Sequence, residues 1–595
     1  MSIKVPRIVK IKSTAVFVLV FCLKTFLFAG HPISIDGLFD DWHQVPVAYV
    51  DTEGDSEGAD YATLKISYDN EFIFIYFDFF HGEFLMQDWN EFHLYIDADD
   101  NDETGSYVNG IGAELEWNFG SRSGFAYLDD QQIEIYQNDL SLRIAPTITS
   151  SQFEIAIGRN SFPLTNYNSQ TISNFRIIIS EFDLGGDLIP NEFGGIIFSV
   201  GNDIVPEAET IFIEKYNEND IRLVSYNTWN EGILDPDRQN QFKRILQAID
   251  PDIISLQEHS DWQQINNIIQ SWFPNEEWHA SWTYGDLVVL SRFSIIHDAF
   301  MNSERTMVAL VNTEEELGKN LLIFNSHLSC CDNNEDRQRQ VDEFAAEWRD
   351  WRIHGQGPFD LDYGTPFVHV GDFNFVGYRQ QVETIRVGDI EDEVEFGSDY
   401  LPDWDSTAIT DPFLRHTNIR MGYTWRKDAS SFNPGKLDYI FYSDATIDTG
   451  NQYILNTLCM DESIIENYGL QFNDTQEASD HLPLVFDISN SHNVGVQENE
   501  IIPKELILYP IYPNPFNFSS QIRFYLKYST KIKLSIYDLK GLRVKTIFSG
   551  KKLNGFHSLN WYGRADYGYS VASGIYLILI QSERQYEAQK VMLLK

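Results

Sequence analysis

The strongest constraint on the fold is a series of apolar, strand-like runs between residues 218 and 490, each of which ends in polar residues. At the centre of the series, the run Val368-His369-Val370-Gly371 leads into Asp372 and Asn374. Side chains at i and i+2 of an extended chain point to the same side, so this carboxylate and this carboxamide can face one ligand. Asp and Asn are also the usual residues of a polar turn, so the pair alone does not distinguish a site from a turn.

Five other segments repeat this arrangement of an apolar run that ends in polar residues. In chain order they are Ser225-Tyr226-Asn227-Thr228-Trp229, Ser255-Leu256-Gln257-Glu258, Asn325-Ser326-His327-Leu328, Lys436-Leu437-Asp438-Tyr439-Ile440-Phe441 and Ser479-Asp480-His481-Leu482-Pro483. Each segment is a weak signal by itself. Six of them in one region indicate that their polar side chains serve one site.

Helical patterns lie between these strands. Apolar residues recur at helical spacing over 242–249, between the strand-like runs 221–226 and 253–256, and again over 341–348. Strands that alternate with helices predict an α/β domain.

The six segments, in this order, resemble the endonuclease/exonuclease/phosphatase superfamily, which includes DNase I, abasic-site endonucleases, neutral sphingomyelinases and inositol-phosphate phosphatases. The resemblance covers residues 218–490 and little outside them. It implies a four-layer α/β sandwich of the DNase I-like type for this stretch.

A metal-dependent phosphoesterase needs a cation, a base for water and donors for the charge that develops on phosphorus. We expect Glu258 to be the principal carboxylate ligand of Mg²⁺ or Mn²⁺. Asn227 and Asp480 would be further oxygen ligands, as suits a hard cation.

Histidine is the side chain that titrates near neutrality, so His481 is the expected general base and Asp438 the carboxylate that orients it. The resemblance implies that Asp372 and Asn374 position the water and the scissile phosphate, and that His327 donates to a phosphate oxygen. Taken singly, each of these residues has an ordinary explanation as a surface histidine or a solvated charge.

Charge bears on the substrate. The chain carries a formal charge of -46, and residues 218–490 contain 18 Lys and Arg against 48 Asp and Glu, so tight non-specific binding of polyanions through a basic face is disfavoured. This charge does not prevent turnover in the presence of bound cations. Because Asn325-Ser326-His327-Leu328 resembles the histidine-containing DNase I and sphingomyelinase branches of the superfamily, we predict an extracellular nuclease or phosphodiesterase. The alternatives are a sphingomyelinase-like enzyme acting on phospholipid head groups or small molecules, and a cell-surface binding protein whose central domain is inactive.

Short strand-like runs rich in aromatic and β-branched residues predict an N-terminal β-sandwich over residues 31–214. Ile35-Asp36-Gly37 and the acidic run 96–105 resemble family-9 carbohydrate-binding or DOMON-like modules. In that run Asp97, Asp99 and Asn101 are spaced to hold Ca²⁺, although an acidic turn without a ligand has the same composition.

Carbohydrate binding by this domain would require exposed aromatic platforms. Three tryptophans of the region are either such platforms or core residues: Trp42, Trp89 and Trp117.

The two ends of the chain point to export. Basic residues, an apolar run and small residues over 1–30 predict a signal peptide, so the protein would be exported to the periplasm and then secreted or held at the cell surface. No later run is long enough to predict a transmembrane helix.

Residues 491–503 read as a polar linker. The last domain, 504–595, resembles the C-terminal sorting domain of type IX-secreted bacterial proteins, which implies an Ig-like β-sandwich and contact with that secretion machinery. Its alternative is an Ig-like module without a role in export.

Overall fold

The structure is a computed structural model that describes residues 27–28, 30–489 and most of 506–594. Within 30–489 the description omits residues 89, 129–130, 166–171, 183–185, 202–204, 283–284, 302–304 and 354. Trp89, the linker 491–503 and most of the signal segment therefore lie outside the described residues. The chain forms two compact units, Met1–Val494 and Gly495–Lys595.

The first unit begins with a β-sandwich. Its strands are β1 (Leu27–Phe28), β2 (Val47–Val50), β3 (Tyr61–Tyr68), β4 (Phe72–Phe79), β5 (Phe92–Asp97), β6 (Ser106–Val108), β7 (Ile111–Ala113), β8 (Leu115–Asn118), β9 (Ser123–Leu128), β10 (Gln131–Ile135), β11 (Arg143–Ala145), β12 (Gln152–Gly158), β13 (Asn174–Glu181), β14 (Asp187–Ile189) and β15 (Ile196–Val200). A 3₁₀ turn covers Asp40–Gln44, and a short helix α1 covers Phe162–Thr165.

These strands form two main sheets, as the sequence predicted. One has the order β1-β15-β13-β5-β8-β9-β10 with β14 on β13, and the other has the order β11-β12-β4-β3-β2. Alternate aromatic and aliphatic side chains of both sheets fill the core between them, and Tyr61, Phe77 and Trp117 are fully buried there. Leu27–Phe28, inside the predicted signal segment, pairs with β15.

The central domain follows. Its strands are β16 (Ile221–Asn227), β17 (Ile253–Gln257), β18 (His279–Ala280), β19 (Leu287–Ser291), β20 (Ile295–Phe300), β21 (Thr306–Val311), β22 (Leu321–His327), β23 (Phe367–Asp372), β24 (Asp438–Tyr442), β25 (Asp448–Ile454) and β26 (Leu484–Ser489). Its helices are α2 (Gln239–Ile249), α3 (Trp262–Trp272), α4 (Glu314–Leu317), α5 (Asn334–Trp351), α6 (Arg379–Val387), α7 (Glu393–Phe396), α8 (Glu462–Asn467) and α9 (Asp474–Ala478), with 3₁₀ turns at Gly232–Leu234 and Thr457–Cys459.

Two sheets, β18-β19-β17-β16-β26-β25 and β20-β21-β22-β23-β24, form the middle layers of this domain. Helices α2 and α3 pack their apolar faces on the first sheet, and α5 and α6 pack on the second. The strands are apolar on both faces because each sheet contacts a helix layer on one side and the other sheet on the opposite side. This is the four-layer arrangement expected from the sequence.

The register of the strands brings the polar segments to one end of the two sheets. In the first sheet β16 runs parallel to β17, and Asn227 pairs with Gln257, the residue before Glu258. In the second sheet β22 runs parallel to β23 and His327 pairs with Asp372, while antiparallel β24 places Asp438 opposite Asp372. The carboxyl ends of neighbouring parallel strands are a common place for a site in α/β folds.

The β-sandwich and the central domain share a hydrophobic cluster. Trp42, Phe74 and Tyr76 of the sandwich belong to the same buried cluster as Leu223 and Val370 of the central sheets. Polar contacts add to it, because Thr147 Oγ1 donates to the carbonyl oxygen of Phe375 over 2.8 Å. The segment 211–214, which the sequence assigned to the sandwich, packs on the central domain. The two predicted domains thus form one packed body.

The described residues of the second unit form strands. They are β27 (Leu506–Leu508), β28 (Ser520–Leu526), β29 (Thr530–Asp538), β30 (Arg543–Lys552), β31 (Gly555–Trp561), β32 (Gly574–Gln581) and β33 (Tyr586–Leu593), in sheets of order β27-β28-β31 and β30-β29-β32-β33. Apolar residues of both sheets enclose Trp561. Among the residues described, we find no helix with the length and apolar character needed to cross a membrane.

Candidate active site

The carboxamide of Asn227 lies at the centre of the polar end of the two sheets. Its Nδ2 donates to Glu258 Oε1 over 3.1 Å and to Asp372 Oδ2 over 3.0 Å. Its Oδ1 accepts from the backbone N–H of Trp229, and its carbonyl oxygen accepts from Ser479 Oγ. Asn227 therefore joins the first sheet to the second through side chains that are far apart in the sequence.

Left-handed backbone conformations surround this position. Trp229, Asn230 and Glu231 have φ angles of 49°, 51° and 54°, Glu258 has 64° and Asn374 has 51°. Such angles are uncommon for residues other than glycine and concentrate at functional sites. One consequence is that the backbone N–H of Asn230 reaches Glu258 Oε2 at 2.5 Å and holds the carboxylate in place.

A chain of hydrogen bonds and close contacts links His481 to two carboxylates. His481 Nδ1 donates to Asp438 Oδ2 over 2.9 Å, and its Nε2 lies 3.6 Å from Asp372 Oδ2. Burial lowers the pKa of His481, but the charges of Asp438 and Asp372 more than offset this effect and raise its pKa to about 10. Burial, with the charge of Asp438, raises the pKa of Asp372 above its usual value although both histidines oppose the change.

His327 approaches Asp372 from the other side. Its Nδ1 donates to Asp286 Oδ2 over 2.7 Å, and its Nε2 lies 3.7 Å from Asp372 Oδ2. Burial lowers the pKa of His327. The hydrogen bond to Asp286 and the charges of Asp372, Asp286 and Glu258 raise it by more, so the pKa lies above its ordinary value. His327 is thus prepared to donate to an anionic oxygen.

The remaining predicted residues lie beside these groups. Asn374 donates its backbone N–H to Asp372 Oδ1 over 3.0 Å and its Nδ2 to the carbonyl oxygen of Leu328. Asp480 precedes His481, its Oδ2 lies 3.5 Å from Lys427 Nζ, and its buried Oδ1 has no hydrogen-bond partner. Contacts in the structure therefore connect six of the eight predicted side chains directly, Asn374 joins them through its backbone N–H, and Asp480 is adjacent to His481 in the chain.

This arrangement fits a divalent cation. Buried carboxylates and an orphaned carboxylate oxygen are costly unless a positive charge compensates them. Asp372, Asp438 and His481 place ligand atoms within 4.8 Å of one another, and Asn227 ties Glu258 to the same group. Oxygen donors of this kind suit Mg²⁺.

Sequence reasoning missed Asp286 and Ser479. Asp286 precedes strand β19, whose first residue Leu287 pairs with Gln257 at the site end of the sheet, but a single aspartate before a strand does not stand out from an ordinary turn residue. The guanidinium groups of Arg337 and Arg339, which follow the His327 segment, are engaged by groups of the protein. Arg337 is fully buried and donates to the carbonyl oxygens of Ser329 and Cys331, and Arg339 pairs with Glu395.

The acidic turn of the sandwich also gathers carboxylates, but not the set that we expected. Asp97 and Asp99 lie with Glu114 from the segment after β7, with ligand atoms within 4.8 Å of one another. The Asn101 side-chain oxygen instead accepts from the backbone N–H of Glu103. Glu114 is 3% exposed, and its Oε1 has no hydrogen-bond partner.

Two of the tryptophans considered as sugar platforms are core residues. Trp42 and Trp117 are each 1% exposed, so neither offers a face to a sugar. Trp89 lies outside the described residues.

Comparison with known families agrees with this geometry. Residues 224–481 match the Endonuclease/Exonuclease/phosphatase family. The central region is an endonuclease/exonuclease/phosphatase domain. Members of this family hydrolyse phosphoester bonds, typically with a divalent metal ion. Residues 518–585 match the FlgD Ig-like domain, in agreement with the two sheets of the second unit.

Solved structures similar to the endonuclease/exonuclease/phosphatase domain share little sequence with it. TDP2 from D. rerio, complexed with a single strand DNA product, is 15% identical with a TM-score of 0.30, over 46% of this chain and 99% of that chain. ANGEL2, a 2′,3′-cyclic phosphatase, is 16% identical with a TM-score of 0.31, over 48% and 98% of the two chains. An AP endonuclease from Archaeoglobus fulgidus is 13% identical with a TM-score of 0.28, over 45% and 98%. No curated protein matches this chain.

Proposed function

We propose that the central domain is a divalent-metal-dependent phosphodiesterase that cleaves nucleic acid. The observation that carries this proposal is the convergence of Asn227, Glu258, His327, Asp372 and His481 at one end of two facing sheets. A binding protein that had lost activity would have no reason to retain a buried group of this composition, because unneeded buried charges are destabilising.

Glu258 and Asn227, with Asp480, would hold Mg²⁺ or Mn²⁺, which supplies positive charge to the phosphate oxygens. The protein residues do the remaining work. Asp438 fixes the orientation of His481, and His481 Nε2 and Asp372 Oδ2, 3.6 Å apart, form the pair that accepts the proton of the attacking water. The positive charge of the bound cation would oppose the effect of the two carboxylates and bring the pKa of His481 down from about 10 towards neutrality. Asn374 fixes the carboxylate of Asp372 through its backbone N–H.

His327 would neutralise charge on the phosphate in the transition state. Its Nε2 is directed to the same region as His481 Nε2, since both face Asp372 Oδ2. The hydrogen bond from its Nδ1 to Asp286 keeps the ring oriented and, by raising the pKa of His327, favours the protonated form of the ring. Such a donor acts mainly when negative charge develops, so its loss should reduce kcat more than it raises KM.

Replacement of His481 is the direct test. We expect His481→Ala to lower kcat for a generic diester with Mg²⁺ by about three or more orders of magnitude, as loss of an essential acid-base group does. The full chain would be assayed against plasmid DNA, RNA, sphingomyelin and bis(p-nitrophenyl) phosphate, each with and without EDTA. Turnover by His481→Ala at the wild-type rate, or turnover that EDTA leaves unchanged, would contradict the proposed mechanism.

Nucleic acid is favoured over a lipid head group by Trp229. This side chain is 38% exposed, two residues after Asn227, and the ammonium of Lys427 lies 4.3 Å from the centroid of its ring. An exposed ring beside a lysine offers a base a stacking surface and the phosphate next to it a positive charge. Lys427 also lies 3.5 Å from Asp480, so this pair borders the site.

We therefore expect Trp229→Ala to raise KM for single-stranded DNA about tenfold, because stacking of one base contributes about 1–3 kcal/mol. Its rate on bis(p-nitrophenyl) phosphate, which has no base, should change little. Trp229→Phe keeps a ring and is the matched control, with KM near the wild-type value. Equal effects of Trp229→Ala on both substrates, or activity on sphingomyelin alone, would favour the sphingomyelinase-like or small-molecule alternative.

For the rest of the chain we propose that Ca²⁺ binds Asp97, Asp99 and Glu114, since ligand atoms of the three lie within 4.8 Å of one another and the buried Glu114 Oε1 has no hydrogen-bond partner. We also propose that residues 1–30 direct export through the periplasm to the cell surface or medium and that the C-terminal unit contacts the type IX secretion machinery. We also propose that the sandwich binds carbohydrate, but through residues other than Trp42 and Trp117, which are buried. Fusion of residues 504–595 to a carrier protein, followed by fractionation of the host, tests the sorting role.

A further inference from the structure

Four aspartates that the sequence did not single out meet at one end of the β-sandwich. Asp51, Asp55 and Asp60 belong to the turn between β2 and β3, and Asp187 is the first residue of β14. Ligand oxygens of Asp51, Asp55 and Asp187 lie within 4.8 Å of one another. Asp60 closes the turn, because its Oδ2 accepts from the backbone N–H of Gly54 over 2.9 Å.

Two carboxylate oxygens in this group are buried without any hydrogen-bond partner. They are Asp51 Oδ2 and Asp60 Oδ1, on residues that are 7% and 4% exposed. The other oxygens are satisfied by neutral donors: Thr52 N–H and Asn191 Nδ2 on Asp51 Oδ1, and Gly54 N–H on Asp60 Oδ2. Orphaned buried carboxylate oxygens are rare, because each costs the desolvation energy of a charged group.

No basic side chain compensates these charges. In the part of the chain that the structure describes, none of the four aspartates forms an ion pair with a lysine or an arginine. Asn191 is the shared polar partner, since its Nδ2 donates to Asp51 Oδ1 and to Asp55 Oδ2, each over 2.9 Å. Burial, with the charges of Asp51 and Asp55, raises the pKa of Asp187 to about 6. The group is thus arranged for a positive ligand.

We propose that Asp51, Asp55, Asp60 and Asp187 bind one Ca²⁺ ion. All four donors are hard carboxylate oxygens, which is the chemistry that Ca²⁺ prefers, and water can complete the six to eight ligands of the ion. Two oxygens on opposite sides of Ca²⁺ are about 4.6–5.2 Å apart, whereas for Mg²⁺ they are about 4.0–4.2 Å apart. The ligand oxygens of Asp51, Asp55 and Asp187 lie within 4.8 Å of one another, which is compatible with the spacing around Ca²⁺.

The ion would connect the two sheets of the sandwich. The turn that carries Asp51, Asp55 and Asp60 joins strands of the five-stranded sheet, and β14 pairs with β13 of the other sheet. A hydrogen bond already crosses between them, because Tyr61 N–H donates to Asp187 Oδ2 over 2.8 Å. A cation at this point stabilises the folded sandwich by mass action, since the unfolded chain does not present the four carboxylates together.

Calcium titration of the full chain tests this site. With excess Mg²⁺ present to occupy the catalytic centre, calorimetry should show saturable Ca²⁺ binding to the wild type, and Ca²⁺ should raise Tm. Asp55 is exposed and its loss does not disturb the core, so Asp55→Asn should fold and bind Ca²⁺ here at least tenfold more weakly. Asp187→Asn should lose the site altogether, while its Tm in EDTA equals or exceeds that of the wild type because a like charge has been removed.

Glu114→Gln is the matched control, because it removes a buried carboxylate from the acidic turn of the same sandwich. It should keep the Ca²⁺ binding that Asp187→Asn loses, and Glu258→Gln should keep it as well. Wild-type protein that binds no Ca²⁺ at millimolar concentration would overturn the proposal. So would Asp55→Asn and Asp187→Asn variants that bind Ca²⁺ with wild-type affinity and stoichiometry.

Discussion

At the scale of single residues, Asp286 decides the state of His327. The carboxylate accepts from Nδ1, so Nε2 must face Asp372, and the negative charge raises the pKa of the ring. A group that works in its protonated form then remains active to higher pH than a free histidine would. Asp286 is therefore a positioning residue, which acts on the substrate through His327.

We predict that Asp286→Asn lowers kcat by about 10–100-fold, the usual effect of losing a partner that orients a site histidine. Because the pKa of His327 would fall, the alkaline limb of the pH–rate profile should move to lower pH. His327→Asn has no titrating ring, so it should lack this limb and lose more activity. An alkaline limb that stays at its wild-type position in Asp286→Asn would refute this role.

Much of this site can be predicted from local sequence. The residues that cannot be predicted in this way share one reason. Asp372 and Asn374, or Asp480 and His481, are recognisable because polar residues directly follow or precede an apolar strand. Asp286 also directly precedes an apolar strand, but as a single carboxylate it does not stand out from an ordinary turn residue, and Glu114 lies between two short strands. Asn101 shows the converse, since its spacing suits an ion but its side chain turns to the backbone of Glu103. Local spacing does not determine which distant strand will supply the missing ligand.

At the scale of elements, the contact between the two halves of the first unit contains a pair of carboxylates. Glu154 on β12 is fully buried, and its Oε1 accepts from the backbone N–H groups of Asp36 and Gly37, while Trp42 Nε1 donates to Oε2. Burial, with a contribution from Asp41, raises the pKa of Asp36 to about 7. The proton therefore binds more tightly to Asp36 in the folded protein than in the unfolded chain.

This shift has a definite sign for stability. Between the unfolded pKa of about 3.8 and the folded pKa of about 7, the folded state holds more protons, so stability falls as pH rises through this window. We predict that Asp36→Asn is more stable than the wild type at pH 8 and that the difference shrinks at pH 5. Urea unfolding at both pH values measures it. The control is Asp40→Asn, which changes a fully exposed neighbour and should alter stability little at either pH. If Asp36→Asn were stabilised equally at pH 5 and at pH 8, this explanation would be excluded.

At the scale of the whole molecule, the sequence predicts the order and type of the domains better than the way they pack. The four-layer central domain, and the sheets of the domains that precede and follow it in the sequence, follow from periodicity and from the six segments. The hydrophobic cluster that the two domains share cannot be predicted in this way. Phe74 and Tyr76 belong to an apolar run that is typical of a strand buried on both faces, but the run does not show which part of the chain covers its outer face. Which surface meets which is decided by residues more than a hundred positions apart.

We predict that the sandwich and the central domain unfold together. Calorimetry of the full chain should give one transition for residues 27–489 and a separate one for the C-terminal unit, because a common core couples the first two and the third has its own. A chain that begins at residue 205 should aggregate or melt at least 10 °C lower, since removal of Trp42, Phe74 and Tyr76 uncovers apolar surface. Removal of residues 495–595 is the control and should leave the first transition in place. Independent melting of the sandwich would disprove the coupling.

The cluster around Trp42 and Phe74 also limits how this architecture can be inherited. A carbohydrate-binding module on a flexible tether can be exchanged between enzymes by recombination at the tether, with each partner folding as before. In this chain, such an exchange would leave a solvent-exposed hydrophobic surface on both the sandwich and the central domain. Descendants of this chain are therefore expected to gain, lose or duplicate the first 490 residues as a single heritable block, and only the tail is free to be shuffled.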